Sequence, residues 1–246
     1  MKPSSNKWVI FILIAICIIV LYLVYSSTES IENMEDSIDM NYYVISMQSE
    51  ERMQNIKNQQ AKMSTKINVF DAINGDNVDL DNVPNQIIAD EFKENSKHRK
   101  REIGCFLSHY GLLQKIQSDG NRDGYTVIFE DDFNIIIDNF EETVESTLKS
   151  MKNTTDFDIM YIETISNNIG ENVRDDICKI DMDKDLYGTQ AYIVKNSNID
   201  KLLNVTWIVD MPIDWKYSTA VKSNKIVAYT FCPFLTRSTD LESTLF

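Results

Sequence analysis

The sequence predicts an α/β domain with a mainly parallel sheet, preceded by one N-terminal transmembrane helix. Strand-like apolar runs alternate with helix-like segments along most of the chain, a pattern typical of a parallel sheet with crossover helices. Three consecutive acids, Glu130, Asp131 and Asp132, close the apolar run at residues 125–129, at the end of a strand where open α/β sheets bind ligands. Residues 8–25 contain no charge and just suffice to cross a bilayer core.

The uncharged segment at residues 8–25 is predicted to be a membrane anchor. A cleavable signal peptide is the alternative, but the segment is longer than a usual signal core and lacks a small-residue cleavage pattern. Lys2 and Lys7 precede it and several acids follow it, so the positive-inside rule places the N-terminus in the cytoplasm. The prediction is a single-pass type II membrane protein with a tail at 1–7, an anchor at 8–25, a stalk at 26–40 and a lumenal or extracytoplasmic domain at 41–246.

The remaining elements are predicted from the spacing of apolar residues. The segment at 102–117 has a clear helical stripe, although Gly104 and Gly111 each weaken a helix by about 1 kcal/mol, which predicts close approach of another segment. Asn74 and Gly75 are expected to form a turn with positive φ. The other elements are strands at 42–46, 67–70, 125–129, 157–162, 187–194 and 226–231, helices at 50–63, 139–149 and 198–203, and a short helix near 86–92.

The charge and the cysteines limit the possible partners and the compartment. A net charge of −14 excludes a general attraction for nucleic acid, so an anionic nucleotide would need a local metal ion or a basic pocket. Cys105, Cys178 and Cys232 lie outside the anchor, so at most one internal disulfide can form, and the sequence leaves its pairing open. Glycosylation sequons at Asn153 and Asn204 agree with a lumenal placement.

The acidic triplet is a candidate metal site. Adjacent carboxylates repel one another unless a cation compensates them, and their hard oxygens suit Mg²⁺ or Mn²⁺. The alternative is a solvated turn whose acids favour the N-terminus of the following helix. Cys105 and His109, four residues apart, could form half of a zinc site, but no second half with convincing spacing follows, so packing of Cys105 is favoured.

A series of motifs resembles family 25 glycosyltransferases, which include the lipopolysaccharide-core glycosyltransferases and the collagen galactosyltransferases. The resemblance extends from residue 42 to the C-terminus and implies a GT-A type nucleotide-sugar-binding fold, a UDP-sugar donor, Mn²⁺ or Mg²⁺ as cofactor, and inversion at the anomeric carbon. The motifs are YVIS at 43–46 followed by Arg52, FDAING at 70–75, EIGCFLSH at 102–109, IFEDD at 128–132, GTQAY at 188–192 and PID at 212–214.

The resemblance gives the candidate residues their expected roles. Asp132, helped by Glu130, would hold the cation that bridges the donor phosphates. Asp131 would point away from both neighbours if the strand continued, and would contact ribose or sugar hydroxyls. Asp214 is the candidate general base for the acceptor hydroxyl, with a helix N-cap as its alternative role. Further donor-site candidates are Arg52, Glu102, Ser108, His109 and Tyr192.

The leading hypothesis is therefore a metal-dependent, inverting transferase of galactose or glucose. Its acceptor would be a hydroxyl on a glycan, a lipid-linked sugar or a protein. The alternative is a non-catalytic glycan-binding or structural membrane protein on the same fold. A phosphotransferase is disfavoured, because the sequence contains no Gly-rich phosphate loop followed by Lys and Ser or Thr.

Overall fold

The computed structural model describes residues 14–25, 38–83, 87–93, 97–152, 154–165, 169–174, 176–181 and 183–239. The chain divides into two compact units, residues 1–38 and 39–246. In the first unit, residues 14–25 form helix α1, whose apolar side chains are exposed. No helix within the described ranges combines the length and the apolarity needed to cross a membrane. The tail, the start of the predicted anchor, most of the stalk and Asn153 lie outside the described residues.

Strands of the second unit form one large sheet and two small ones. The large sheet is eight-stranded over the described residues and has the order β2-β1-β4-β9-β6-β11-β8-β7. The small sheets pair β3 with β10 and β5 with β12. The strands are β1 (Met40–Ser46), β2 (Ile67–Asp71), β3 (Ile87–Ile88), β4 (Tyr125–Glu130), β5 (Phe133–Ile135), β6 (Ile159–Glu163), β7 (Ile169–Arg174), β8 (Ile177–Ile180), β9 (Ala191–Lys195), β10 (Ile208–Val209), β11 (Ala228–Phe231) and β12 (Thr236–Ser238).

The large sheet is mixed rather than mainly parallel. β1 runs parallel to β2 and β4, and β6 runs parallel to β11, but β9 runs antiparallel between β4 and β6. β8 is antiparallel to both β11 and β7. Sequence pattern could not give this direction, because β9 is a continuous buried run that reads alike in a parallel or an antiparallel strand. As a result, the start of β9 lies at the same edge as the ends of β4 and β6.

The helices lie close to their predicted positions. α3 begins before the predicted residue 102, and the predicted short helix near 86–92 is instead β3 followed by a 3-10 turn at Asp90–Phe92. Ser49 caps α2, where its Oγ accepts a hydrogen bond from the backbone N–H of Arg52. The helices of this unit are α2 (Glu50–Gln60), α3 (Lys97–Asp119), α4 (Phe140–Met151), α5 (Ile199–Val205) and α6 (Ile213–Lys222).

Helix α3 is the central helix of the core, and one of its glycines explains how it packs. Its predicted apolar stripe is buried. A Cβ at Gly104 would lie 2.6 Å from the backbone nitrogen of Gly75, so the predicted close approach at Gly104 is confirmed. Gly75 has no positive φ, so the expectation for that turn is wrong. A glycine is needed there because α3 leaves no room for a side chain.

A disulfide joins Cys178 of β8 to Cys232, which follows β11. These strands are antiparallel neighbours, so the bridge ties two adjacent strands of the sheet together. Cys105 forms no disulfide and remains a free thiol. The pairing that the sequence leaves open is thereby assigned.

Candidate active site

Polar side chains converge at one edge of the large sheet. β1, β4 and β6 end at this edge, and β9 begins there. These ends bring Ser46, the acidic triplet at 130–132, Glu163 and the turn at 188–190 into one region, and α6 contributes Asp214. This is the edge where the sequence predicts a ligand site.

Glu130 ends β4 and is held by two neighbours. Its Oε1 accepts a 2.6 Å hydrogen bond from Oγ1 of Thr189, and Nε2 of His109 lies 3.4 Å from the same oxygen. The second distance is longer than that of a well-formed hydrogen bond. Burial opposes ionisation of Glu130, but His109 and Thr189 outweigh it, so the pKa of Glu130 lies below its usual value. The ionised form of Glu130 is therefore favoured at neutral pH.

His109 is buried behind Glu130 and is oriented by a second residue. It is 1% exposed, and its Nδ1 lies 2.8 Å from Oη of Tyr192. Tyr192 is itself completely buried on β9. The donor contacts predicted for His109 and Tyr192 remain predictions, and their present partners give them a supporting position behind Glu130.

Asp131 and Asp132 meet at Arg52, on the first turn of α2. Nη1 of Arg52 lies 3.0 Å from Oδ1 of Asp131 and 3.3 Å from Oδ2 of Asp132. The expectation that Asp131 points away from its neighbours is therefore wrong, because β4 ends at Glu130 and strand alternation stops there. Asn55 fixes this turn by donating hydrogen bonds from Nδ2 to the backbone carbonyls of Asp131 and Phe133. The predicted contact of Arg52 with donor phosphate remains a prediction.

One side-chain oxygen of Asp132 is buried and unsatisfied within the part of the chain that the structure describes. Its Oδ1 lacks a hydrogen-bond partner among the described residues. Burial, followed by the charge of Glu130, raises the pKa of Asp132 to about 6, although Arg52 opposes the shift. Burial also raises the pKa of Asp131, against the hydrogen bond from Ser46. A buried carboxylate oxygen without a partner, beside two further acids, is the arrangement expected of a cation ligand.

Cys105 lies close to both the acidic triplet and Asp214. Burial raises the pKa of its thiol, and the nearby charges of Glu130, Asp214 and Asp132 raise it further. Ligand atoms of Cys105, His109 and Glu130 lie within 4.8 Å of one another, so the fold supplies a third group that sequence spacing did not show. These effects favour the thiol form of Cys105, and its predicted packing role stays a prediction.

Asp214 lies in the first turn of α6 and faces the turn before β9. Its Oδ2 accepts a 3.0 Å hydrogen bond from the backbone N–H of Gly188, and its Oδ1 accepts one of 2.9 Å from that of Trp215. The alternative role as helix N-cap is wrong, because Pro212 occupies the N-cap position. Gly188 has φ +89°, a conformation that favours glycine and aims its N–H at the carboxylate.

Ser108 and Glu102, the other predicted donor-site residues, have partners in the protein. Oγ of Ser108 donates to the carbonyl of Gly104 and accepts from the N–H of Ile73, joining α3 to the loop after β2. Glu102 pairs with Arg99 at 2.6 Å, and Nε2 of His98 lies 3.3 Å from its other oxygen. The donor contacts predicted for Ser108 and Glu102 stay predictions.

Sequence reasoning missed the C-terminal strand that covers part of the edge. Glu163, at the end of β6, accepts hydrogen bonds from Oγ1 of Thr236 and from both the N–H and Oγ of Ser238. The N–H of Thr239 donates a 2.7 Å bond to the carbonyl of Asp132. Thr189 was also missed as a partner of Glu130, although it stands within the GTQAY motif.

Comparison with protein families agrees with this arrangement. The model of glycosyltransferase family 25 (LPS biosynthesis protein) matches residues 39–216, more than two-thirds of the chain. The match begins just before β1 and includes both the acidic triplet and Asp214. A search of curated proteins finds no match. The chain belongs to glycosyltransferase family 25, and the protein is a glycosyltransferase.

Proposed function

We propose that this enzyme is a metal-dependent, inverting glycosyltransferase of GT-A type fold. It moves a hexose, galactose or glucose, from a UDP-sugar to a hydroxyl of a glycan, a lipid-linked sugar or a protein. The observation that carries the proposal is the buried Oδ1 of Asp132, which has no hydrogen-bond partner among the described residues and lies just after β4, on the same sheet edge as Asp214. In this proposal Asp132 would bind the cation and Asp214 would act on the acceptor hydroxyl.

The residues present fit a divalent cation. Asp132 and Glu130 offer hard carboxylate oxygens, and Asp132 has an oxygen that no described protein group satisfies. Three acids share a site with one buried arginine, which leaves excess negative charge. Asp132 and Glu130 would hold Mn²⁺ or Mg²⁺, which when bound would stabilise the growing charge of the diphosphate leaving group.

In this proposal Asp214 would accept the proton of the acceptor hydroxyl. Inversion requires one displacement, so the acceptor oxygen must lose its proton as it attacks. Hydrogen bonds from Gly188 and Trp215 fix both carboxylate oxygens of Asp214, and each oxygen retains a lone pair for a hydroxyl. Arg52 would keep Asp131 and Asp132 in place on the donor side of the edge.

The test is release of UDP from a panel of UDP-sugars by EDTA-treated protein titrated with Mn²⁺ or Mg²⁺. We expect release from UDP-galactose or UDP-glucose that depends on the cation. Glycan binding without release of UDP from any donor would contradict the proposal and favour the non-catalytic alternative. Release of UDP at the full rate in EDTA would contradict the metal dependence but not the transferase activity.

We also propose that residues 8–25 anchor the enzyme in a membrane, with the catalytic domain lumenal or extracytoplasmic. The support is the uncharged segment itself and the disulfide between Cys178 and Cys232, a bond typical of oxidising compartments. The test is extraction of membranes at alkaline pH, followed by protease digestion of sealed vesicles. Release of the protein at high pH would contradict this placement. Cleavage of the domain in sealed vesicles whose cytoplasmic face is outermost would also contradict it.

A further inference from the structure

Two aromatic side chains, Tyr187 and Trp215, form a wall beside Asp214. Their ring centroids are 5.9 Å apart, and the ring planes meet at 50°. Trp215 is 51% exposed, although it stands on a helix whose neighbouring positions Ile213 and Tyr217 are buried. A large, rigid aromatic surface held open beside a polar site is characteristic of a contact surface for a ligand.

The backbone ties this aromatic wall to the candidate base. Asp214 accepts hydrogen bonds from the N–H of Trp215 itself and from Gly188, the residue that follows Tyr187. Oη of Tyr187 donates a 3.1 Å hydrogen bond to Asp185, which also pairs with Lys222. The two backbone segments that carry these rings are therefore held against one carboxylate.

We infer that the aromatic wall is the acceptor subsite and that it takes a pyranose ring, so that the acceptor is a saccharide. The inference rests on the proposed function, in which Asp214 takes the proton of the acceptor hydroxyl. A general base must lie within about 3 Å of that oxygen. The ring that bears the hydroxyl consequently touches the immediate neighbours of Asp214, which are Trp215 and the turn carrying Tyr187.

The chemistry of the wall fits a sugar better than a nucleobase. A pyranose has an apolar C–H face, which packs on an aromatic ring, and a rim of hydroxyls, which donate to carboxylates such as Asp185 and Asp214. A flat base would prefer two parallel rings, whereas Tyr187 and Trp215 are tilted. Arg52, Asp131 and Ser46 form a separate cluster on the β1 side of the edge, where the donor is expected to lie.

Tryptophan fluorescence tests binding without catalysis. The full-length protein in detergent is titrated with methyl β-glycosides of glucose, galactose and N-acetylglucosamine, in the presence of Mn²⁺ and UDP. We expect a saturable fluorescence change with at least one glycoside in the wild type and in Trp207→Phe, and its loss in Trp215→Phe. Trp207 is a matched control, because it is 44% exposed but lines a separate cavity of about 510 Å³ between α5 and α6. No change with any glycoside, or a change retained in Trp215→Phe, would overturn the inference.

Kinetics separate this inference from the proposed function. Using the glycoside that responds, we expect Trp215→Ala to raise the acceptor KM about tenfold or more, the usual effect of losing an aromatic anchor, while donor KM stays within about twofold. A rise in donor KM instead would assign the wall to the nucleotide and overturn the inference. UDP release with that glycoside as acceptor is measured in the wild type first. Its absence would contradict the proposed function, whereas its presence with an unchanged acceptor KM in Trp215→Ala would contradict only the acceptor subsite.

Discussion

The backbone N–H of Gly188 donates a 3.0 Å hydrogen bond to Oδ2 of Asp214. This bond joins the turn before β9 to the first turn of α6, which are 26 residues apart in the chain. It orients the carboxylate that we propose as the general base. The bond also depends on the positive φ of Gly188, so the same contact can be tested from either residue.

Asp214→Asn should lower kcat by about two orders of magnitude or more, because an amide cannot take the acceptor proton. Its oxygen can still accept the hydrogen bond from Gly188, so we expect a near-normal melting temperature and donor KM. The measurement is steady-state kinetics together with thermal unfolding. A wild-type kcat in Asp214→Asn would show that another residue is the general base. Asp131 would then be the next candidate, because Glu163 is occupied by Thr236 and Ser238.

Gly188→Ala should lower both stability and kcat, and Gly120→Ala provides a matched control. Both glycines have positive φ, +89° and +76°, so each substitution should cost about 1 kcal/mol of stability or more. An added Cβ meets nothing within 4 Å at Gly120, but it lies 2.9 Å from the side chain of Ile165 at Gly188. We expect only Gly188→Ala to lose kcat, because it displaces the N–H that orients Asp214. Equal kcat values in the two variants would show that this bond has no catalytic role.

Asp132→Asn should stabilise the cation-free protein at high pH and abolish its stabilisation by Mn²⁺. The pKa of Asp132 is raised from 3.8 to about 6 in the folded state, so its ionised form disfavours folding. The free-energy cost of the ionised Asp132 is absent below about pH 4 and grows as the pH rises towards 6. It has its full value above about pH 6. In EDTA we therefore expect the variant to gain about 1 to 3 kcal/mol at pH 8 and nothing near pH 4.

Bound cation should act in the opposite direction, by stabilising the wild type and not the variant. Mn²⁺ should raise the melting temperature of the wild type at pH 8, because a ligand that binds only the folded state stabilises it. The increase should be small or absent in Asp132→Asn. Thermal unfolding at both pH values, with EDTA or with Mn²⁺, measures all of these effects. Equal stabilisation of wild type and variant by Mn²⁺ would show that Asp132 is not a ligand.

The sequence predicted the parts of the site that are local in the chain. The IFEDD run ends β4 at the expected edge, and the apolar stripe of α3 packs in the core. The partners of those residues were not predictable, because they come from distant segments. Thr189 reaches Glu130 only because β9 runs antiparallel beside β4, and single-sequence patterns do not show strand direction in a buried run.

Two local expectations failed for different physical reasons. Asp131 does not alternate away from Asp132, because the strand ends one residue earlier and Arg52 draws both carboxylates to one nitrogen. Gly75 is not required for a positive φ but for the space that α3 needs. Turn propensity describes backbone preference and contains no information about which helix will pack on the turn.

Loss of the Cys178–Cys232 disulfide should destabilise the domain without removing its chemistry. The bridge closes a segment of 54 residues, and removal of such a bond typically costs about 2 to 4 kcal/mol. The loss acts on β8 and β11, whereas Asp132 and Asp214 are held by Arg52 and Gly188. For Cys178→Ser/Cys232→Ser we therefore expect a lower denaturant midpoint and a kcat within about threefold of wild type at 20 °C. Dithiothreitol should lower the midpoint of the wild type and leave that of the double variant unchanged, and an equal effect on both would show that the sensitivity to dithiothreitol does not arise from this disulfide.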